Sequence, residues 1–424
     1  MPNKDTTTDS ATKLLSTSQG TEVKRAFYSK EEKPAGLFST LPYYSIIGLY
    51  ALVYWLVVIC HQPWTACFIV FVFLPLSDYV FPEDWLNPTP VQYKKLDDDF
   101  YFRIPLFLSV AVEWIYYFVF IKHLCNEPFD LIYWSGALFI TGTLVATNFM
   151  AAHELFHKHD ALGRWVGGLT ITKMLYTHFF IEHQYGHHKW VATPHDPATS
   201  RFGEPLYHYL PRSIIGSFIS AWNIEKRRLV EIEECSTHWH PKNRMIWYVL
   251  GYFAFPLAIY AYFGCAGMLV SLYLAFHSVF FLESINYLEH YGLERKEVSP
   301  GEYEKVNITH SWNAPHRITN YVLFKLQRHS DHHENGYKPY QTLATYDESP
   351  MLPNGYAFCI LLSFCPPFWF KIINPYVTAH KKNTPLTPEE KAKIHATMVR
   401  FFGYAILVFG GLASLGFIFP HKSF

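Results

Sequence analysis

Apolar and polar positions along this chain fall into long blocks. Apolar stretches run over roughly residues 40–60, 63–81, 104–121 and 131–152, with two more over 246–263 and 266–288. Each is close to the ~20 residues that a helix needs to cross the hydrocarbon core of a bilayer. The connections after the first, third and fifth stretches are short, as in hairpins. The pattern predicts an all-α, polytopic membrane protein with six transmembrane helices. Residues 351–370 are apolar but broken by Pro353, Gly355, Pro366 and Pro367, which suits an interfacial or re-entrant segment better than a span. Residues 402–420 form one more apolar run, and a seventh span and an interfacial hairpin fit it equally well. Residues 1–38 are polar and rich in Ser, Thr and Lys; no apolar core follows a basic start, so a disordered tail is expected rather than a cleaved signal peptide. The chain thus divides into a tail (1–38), a membrane-embedded domain (39–376) and a C-terminal segment (377–424).

Charge orients the spans. The tail carries Lys24, Arg25, Lys30 and Lys33, the 82–103 loop carries Lys94, Lys95 and Arg103, and residues 153–245 carry many more. The loops of the other side carry almost none beyond Lys122. The positive-inside rule then puts the N-terminus in the cytoplasm. Composition agrees with a membrane protein. Half of the 424 residues are hydrophobic and only 17% are charged, where soluble domains run nearer a quarter. The formal net charge is zero, which gives no footprint for nucleic acid. The seven cysteines show no C-x-x-C spacing. They read as free thiols, and no fused rubredoxin-type iron site is encoded.

The chemistry lies in histidine. Nine histidines form four clusters beside the apolar stretches: His153 and His157; His183, His187 and His188; His290; and His329, His332 and His333. Imidazole is the commonest protein ligand for transition metals. Nine rings are too many for one ion, and two ions sharing them receive four or five nitrogens each. On a helix, His153 and His157 share a face, as do His183 and His187, with His188 turned about 100° away. His329, His332 and His333 combine spacings of three and four and share one face. All four clusters fall on the side assigned to the cytoplasm. Glu154, Glu182, Glu289 and Asp331 accompany the rings and are candidate partners for the second ring nitrogen, which a metal-bound imidazole usually gives to a carboxylate or carbonyl. Asp196 is a weaker candidate. His310 and His195 are reserve ligands, and His178 and His277 read as core residues. Neutral imidazole suits zinc, copper, iron and nickel alike, but zinc sites usually close at four ligands. A nine-histidine pair with open positions suits two iron ions (Fe2+/Fe3+) better.

At these clusters the chain resembles the integral-membrane alkane monooxygenases, within the wider histidine-rich group that includes xylene monooxygenases and fatty-acid desaturases. The resemblance rests on Asn286-Tyr287-Leu288-Glu289-His290-Tyr291-Gly292-Leu293, on Leu326-Gln327-Arg328-His329-Ser330-Asp331-His332-His333, on Val191-Ala192-Thr193-Pro194 with Asp196-Pro197, and on His310-Ser311-Trp312-Asn313. It covers roughly residues 40–376. It implies a six-helix bundle with a cytoplasmic catalytic cap, and two irons held by the nine histidines. It implies terminal hydroxylation of n-alkanes to primary alcohols with dioxygen. It also implies electrons from rubredoxin and an NADH-dependent rubredoxin reductase, and a bacterial inner membrane as the setting. Val70 stands where the family places a chain-length-limiting side chain, and a small residue there is expected to admit longer alkanes. Lys226, Arg227, Arg228, Lys242 and Arg244 suit an acidic carrier, or simply obey the positive-inside rule.

Other readings explain less. His153-Glu154-Leu155-Phe156-His157 matches the zinc protease pattern H-E-x-x-H but leaves six clustered histidines without a task. Desaturation, or hydroxylation of fatty-acyl or aromatic substrates, stays within the same group but differs in cluster spacing. A metal carrier or transporter calls for ligands spread through the membrane depth.

Overall fold

The structure is a computed structural model that describes residues 36–97, 99–158 and 160–422. Nearly all of the expected tail therefore lies outside the described residues. Six helices are long and apolar enough to cross a membrane: α1 (Leu37–Ile59), α2 (Pro63–Val80), α3 (Phe100–Asn126), α4 (Leu131–Phe156), α5 (Arg244–His290) and α6 (Pro388–Ile418).

The 47 residues of α5 would measure about 70 Å as a straight helix, more than twice the ~30 Å hydrocarbon core. The helix is broken at Gly264, whose φ of 67° and ψ of −166° are open to glycine at little cost. The two halves, 244–263 and 265–290, correspond to the two stretches read from the sequence. The run at 402–420 is not a hairpin. It belongs to α6, a single 31-residue helix that starts at a capping box formed by Thr387 and Glu390. This helix lies along α2: Phe409 stacks on Phe71 at 5.2 Å, and Gln62 Nε2 donates to Gly416 O at 3.0 Å. The broken run at 351–370 becomes two helices, Tyr356–Ser363 and Pro366–Lys381. The first, at eight residues, is too short to cross and packs on α5 through Phe364 and Phe280. The second runs through the domain boundary expected at 376.

Local chemistry sets the helix ends. Asp130 caps α4 by accepting from Tyr133 N, and Asn243 caps α5 by accepting from Met245 N. Inside α2, Pro75 lacks the N–H that would bond to Phe71, and the preceding turn, Ile69–Phe73, widens to a π-helix. Buried Val70 sits in that turn.

Lipid tails are as apolar as leucine, so helices in a bilayer are joined by close packing and polar contacts. Tyr50 OH donates to Leu144 O at 3.0 Å, and Tyr117 OH lies 2.8 Å from Ser271 Oγ. A Cβ on Gly142 of α4 would come within 2.6 Å of the His277 ring of α5, so only glycine allows this approach. Fully buried Glu113 of α3 pairs with Lys173 at 3.1 Å and accepts from Asn148 of α4 at 2.7 Å. An ionisable residue within a span needs such partners.

The long connections 157–243 and 291–387 gather at one end of the bundle. They carry helix Leu206–Arg227, the short helix His329–Glu334 and a two-stranded hairpin, Glu297–Ser299 with Glu302–Tyr303.

Candidate metal centre

All nine clustered histidines meet at that end, and they divide into two sets. His153, His157, His183, His188 and His332 each offer one ring nitrogen, and all five nitrogens lie within 4.8 Å of one another. His187, His290 and His333 form a second set by the same measure, and His290, His329 and Glu289 form a third that overlaps it. The division is therefore five and four. Within the first set, His183 Nε2 lies 2.8 Å from His153 Nε2 and 3.1 Å from His188 Nε2. Within the second, His329 Nε2 lies 2.9 Å from His333 Nε2 and 3.3 Å from His290 Nε2. The two sets are neighbours, with the His188 and His333 rings stacked at 4.5 Å.

This division departs from the helical faces read from the sequence. His183–His187 is a π-helical turn, which puts about 4.4 residues in a turn through its i→i+5 bonds. Five-residue spacing then returns to the same side. His183 joins His188 in the first set, and His187 goes to the second. On helix His329–Glu334, His332 turns to the first set while His329 and His333 turn to the second.

The rings are fit to be ligands. Burial, and then neighbouring rings, hold His157, His183, His188, His329, His332 and His333 well below the ordinary histidine pKa. They are neutral, with lone pairs available. His157 Nε2, His187 Nε2 and His332 Nε2 are buried with no hydrogen-bond partner among the described residues. Orphaned buried nitrogens are costly unless something binds them. Two nitrogen-rich sets with one carboxylate suit a pair of first-row transition ions.

The acidic candidates separate. Glu289 Oε2 lies 3.2 Å from His329 Nε2. Asp196, the weaker candidate, accepts from His187 Nδ1 at 2.8 Å and fixes that ring with Nε2 facing the second set. Burial alone would raise the Asp196 carboxyl; the His187 ring, Thr199 and the Ala198 N–H outweigh burial and hold it below the usual carboxylate range. Glu154 and Asp331 have other partners. Glu154 pairs with Lys158 at 2.6 Å and accepts from Tyr340 N. Asp331 binds Lys338 at 2.5 Å and Ala344 N at 2.6 Å. Glu182 is bonded to none of the nine rings among the described residues. Its carboxyl fills the space of the missing side chain at Gly186, where a Cβ would come 2.6 Å from Oε1. Burial, and then the charges of Asp196 and Glu283, push its pKa well up.

Supporting residues were harder to foresee. His310 itself pairs with Glu304 at 3.3 Å and joins neither set. The residues that follow it matter more. Ser311 Oγ lies 3.4 Å from His290 Nδ1, Trp312 Nε1 donates to Tyr291 O, and Asn313 bonds both the N–H and the hydroxyl of Ser330. Arg328, almost wholly buried, pairs with Asp84 at 3.1 Å and donates to Asn87 and Leu343. It ties Asp84 and Asn87 to the fourth histidine cluster. The motif His310-Ser311-Trp312-Asn313 marked these positions without indicating their tasks. His195 joins neither set, and His178 and His277 are buried core residues bonded to Tyr252 and Thr143.

Comparison with known proteins agrees with this geometry. The chain matches the fatty acid desaturase family over residues 131–363. It is 35% identical over 322 residues to alkane 1-monooxygenase 2 of Alcanivorax borkumensis, covering 75% of this chain and 83% of that one. It is 37% identical over 340 residues to alkane 1-monooxygenase of Acinetobacter baylyi, covering 77% and 81%. It is 28% identical over 222 residues to the xylene/toluene monooxygenase hydroxylase component of Pseudomonas putida, covering 52% and 58%. With helices of membrane-crossing length and nine converging histidines, the chain belongs to the alkane 1-monooxygenases, oxidoreductases of the fatty acid desaturase family.

Proposed function

We propose that this chain hydroxylates the terminal carbon of n-alkanes at a dinuclear non-haem iron site. One oxygen atom of dioxygen enters the C–H bond to give a primary alcohol. The other leaves as water, with two electrons from rubredoxin and two protons. The observation that carries the proposal is the division of nine rings, all buried but half-buried His188, into sets of five and four nitrogens. In this reading His153, His157, His183, His188 and His332 hold one iron, and His187, His290, His329 and His333 the other, with Glu289 beside them. Bound iron supplies the activation of dioxygen and the redox change. The protein supplies placement: Asp196 orients His187, Ser311 stands behind His290, and Arg328 and Asn313 fix helix His329–Glu334.

The alkane enters from the bilayer between helices, and burying each methylene contributes about 0.8 kcal/mol to its binding. Val70 on α2 limits how deep the chain reaches. A substrate-length series on Val70→Trp should show a shorter cutoff, and an unchanged cutoff refutes this role. We further propose that the histidine end and the N-terminus face the cytoplasm, in a bacterial inner membrane, where an NADH-dependent reductase recharges rubredoxin. A groove of about 830 Å³ lined by Tyr185, Arg227, Arg228 and Lys242 is the docking candidate, since Tyr185 lies between His183 and His187. Some of its charge is already engaged: Arg228 and Arg244 bind Glu225, and Lys242 binds Glu233.

The test is metal analysis and Mössbauer spectroscopy on detergent-purified protein, then turnover with rubredoxin, reductase, NADH and octane. Two irons per chain with 1-octanol support the proposal. Two irons without alcohol point to another substrate, and zinc in place of iron at the nine-histidine centre refutes the iron assignment.

A further inference from the structure

At the far end of the bundle, about 39 Å along the 26 residues of α4, a second group of side chains of metal-ligating type comes together. His61 lies between α1 and α2, His123 in the last turn of α3, Glu127 just beyond it, and His421 past the end of α6. One ligand atom each from His61, His123 and Glu127 lies within 4.8 Å of the others. His61 Nε2 is 3.8 Å and His123 Nδ1 3.5 Å from Glu127 Oε1, while His421 Nε2 is 3.0 Å from Glu127 Oε2.

We propose that His61, His123, Glu127 and His421 form a structural site for a zinc-type divalent cation, separate from the nine-histidine centre. Spacing is the first argument. Zinc bonds of ~2.0–2.1 Å to nitrogen and oxygen put tetrahedral ligands about 3.4 Å apart; His61 and His123 lie 3.8 and 3.5 Å from Glu127 Oε1, and His421 lies 3.0 Å from the other carboxylate oxygen. The second argument is the tautomer of His123. Tyr133 OH lies 2.9 Å from Val57 O, which can only accept, and when its single proton goes there its oxygen accepts at the 2.5 Å contact with His123 Nε2. Neutral His123 therefore carries its hydrogen on Nε2 and turns the Nδ1 lone pair on the Glu127 carboxylate. Two electron pairs face each other across 3.5 Å, which calls for a positive charge between them. Tyr133 then serves as the outer partner that a metal-bound imidazole usually has. Third, His61 Nε2 is buried with no hydrogen bond among the described residues, on a residue held at φ 52°. A side chain in that strained region is one whose placement has a purpose.

Such a site would join elements far apart in the chain, fastening the end of α6 to the two hairpin turns. A ligand that binds only the folded form raises its stability.

The experiment titrates Zn2+ into full-length, detergent-purified protein after iron loading. Bound zinc and iron are counted after desalting, and Tm is recorded. Wild type should bind one zinc at this site with a rise in Tm and no loss of iron. The double variant His61→Ala/His421→Ala and the nearly isosteric Glu127→Gln should each bind one zinc fewer per chain, keep their iron and lose the rise in Tm. This difference is read whatever metal the nine-histidine centre takes, so it stands apart from the proposed function. Equal zinc in wild type and Glu127→Gln overturns the proposal, as does zinc that enters only as iron leaves. A Tm that follows imidazole protonation and ignores zinc also overturns it, by making the group a proton site.

Discussion

Two membrane-length helices of this chain, α4 and α6, answer to their surroundings in opposite ways. In α4, 78% of the most apolar window is buried; in α6, 17% is. Yet α4 is the more polar. It carries Thr141, Thr143, Asn148 and His153, with His157 just past its end, all buried, and meets polar groups on α1, α3 and α5. In contrast, α6 turns Leu407, Val408 and Phe417 outward, onto a face that suits lipid. Apolarity along the chain thus reports contact with lipid. The helix that works is recognised by the polar groups its neighbours satisfy.

The contrast can be broken most severely at the metal end of α4. His153→Ala should lower alkane hydroxylation by more than about 100-fold, since even outer-shell partners of metals are worth 10–100-fold. The protein should still reach the membrane, and iron content and product formation are the measurements. Next comes the polar support of α4. Lys173→Met leaves the Glu113 carboxylate buried and unpaired, and should destabilise by about 3–5 kcal/mol. Adding Glu113→Gln should recover part of that loss in a detergent unfolding titration, and no recovery would show that the pair itself is not the cause. A smaller effect sets the helices side by side. Gly142→Ala on α4 drives a methyl into His277 and should cost about 1–3 kcal/mol. Gly411→Ala on α6, where a Cβ meets nothing within 4 Å, should cost nothing and gain some helix propensity. Smallest of all, Leu407→Ala on exposed α6 should change stability by less than about 0.5 kcal/mol. A larger loss would mean that α6 is covered by something other than lipid.

Much of this was legible in the sequence. The predicted helical stretches all lie in helices, because about 20 apolar residues without backbone partners in lipid have few other ways to fold. The break at Gly264 was readable as a hairpin between 246–263 and 266–288. The clusters were readable because ligand spacing is a local property. What escaped were features made by contact between distant segments. Asp196 ranks below Glu154 by sequence distance from its histidines, yet Asp196 reaches His187 while Glu154 turns to Lys158. His123 stands four residues before Glu127, but His61 and His421 lie far from it in the chain, and only tertiary packing, with α6 laid along α2, brings His421 to that carboxylate. Nothing at Glu113 pointed to Lys173, which lies 60 residues on in the chain.

By itself the sequence determined that this is a helical membrane protein, that nine clustered histidines have the spacing of metal ligands, and which family they resemble. Apolar length and ring spacing are short-range properties, carried by a window of some twenty residues. Which ring joins which set was decided only in three dimensions. A π-helical turn at His183–His187 sends adjacent rings to different sets, and helix His329–Glu334 divides its three histidines across the gap. Those choices follow from where helices cross, and crossing is set by side chains hundreds of residues apart.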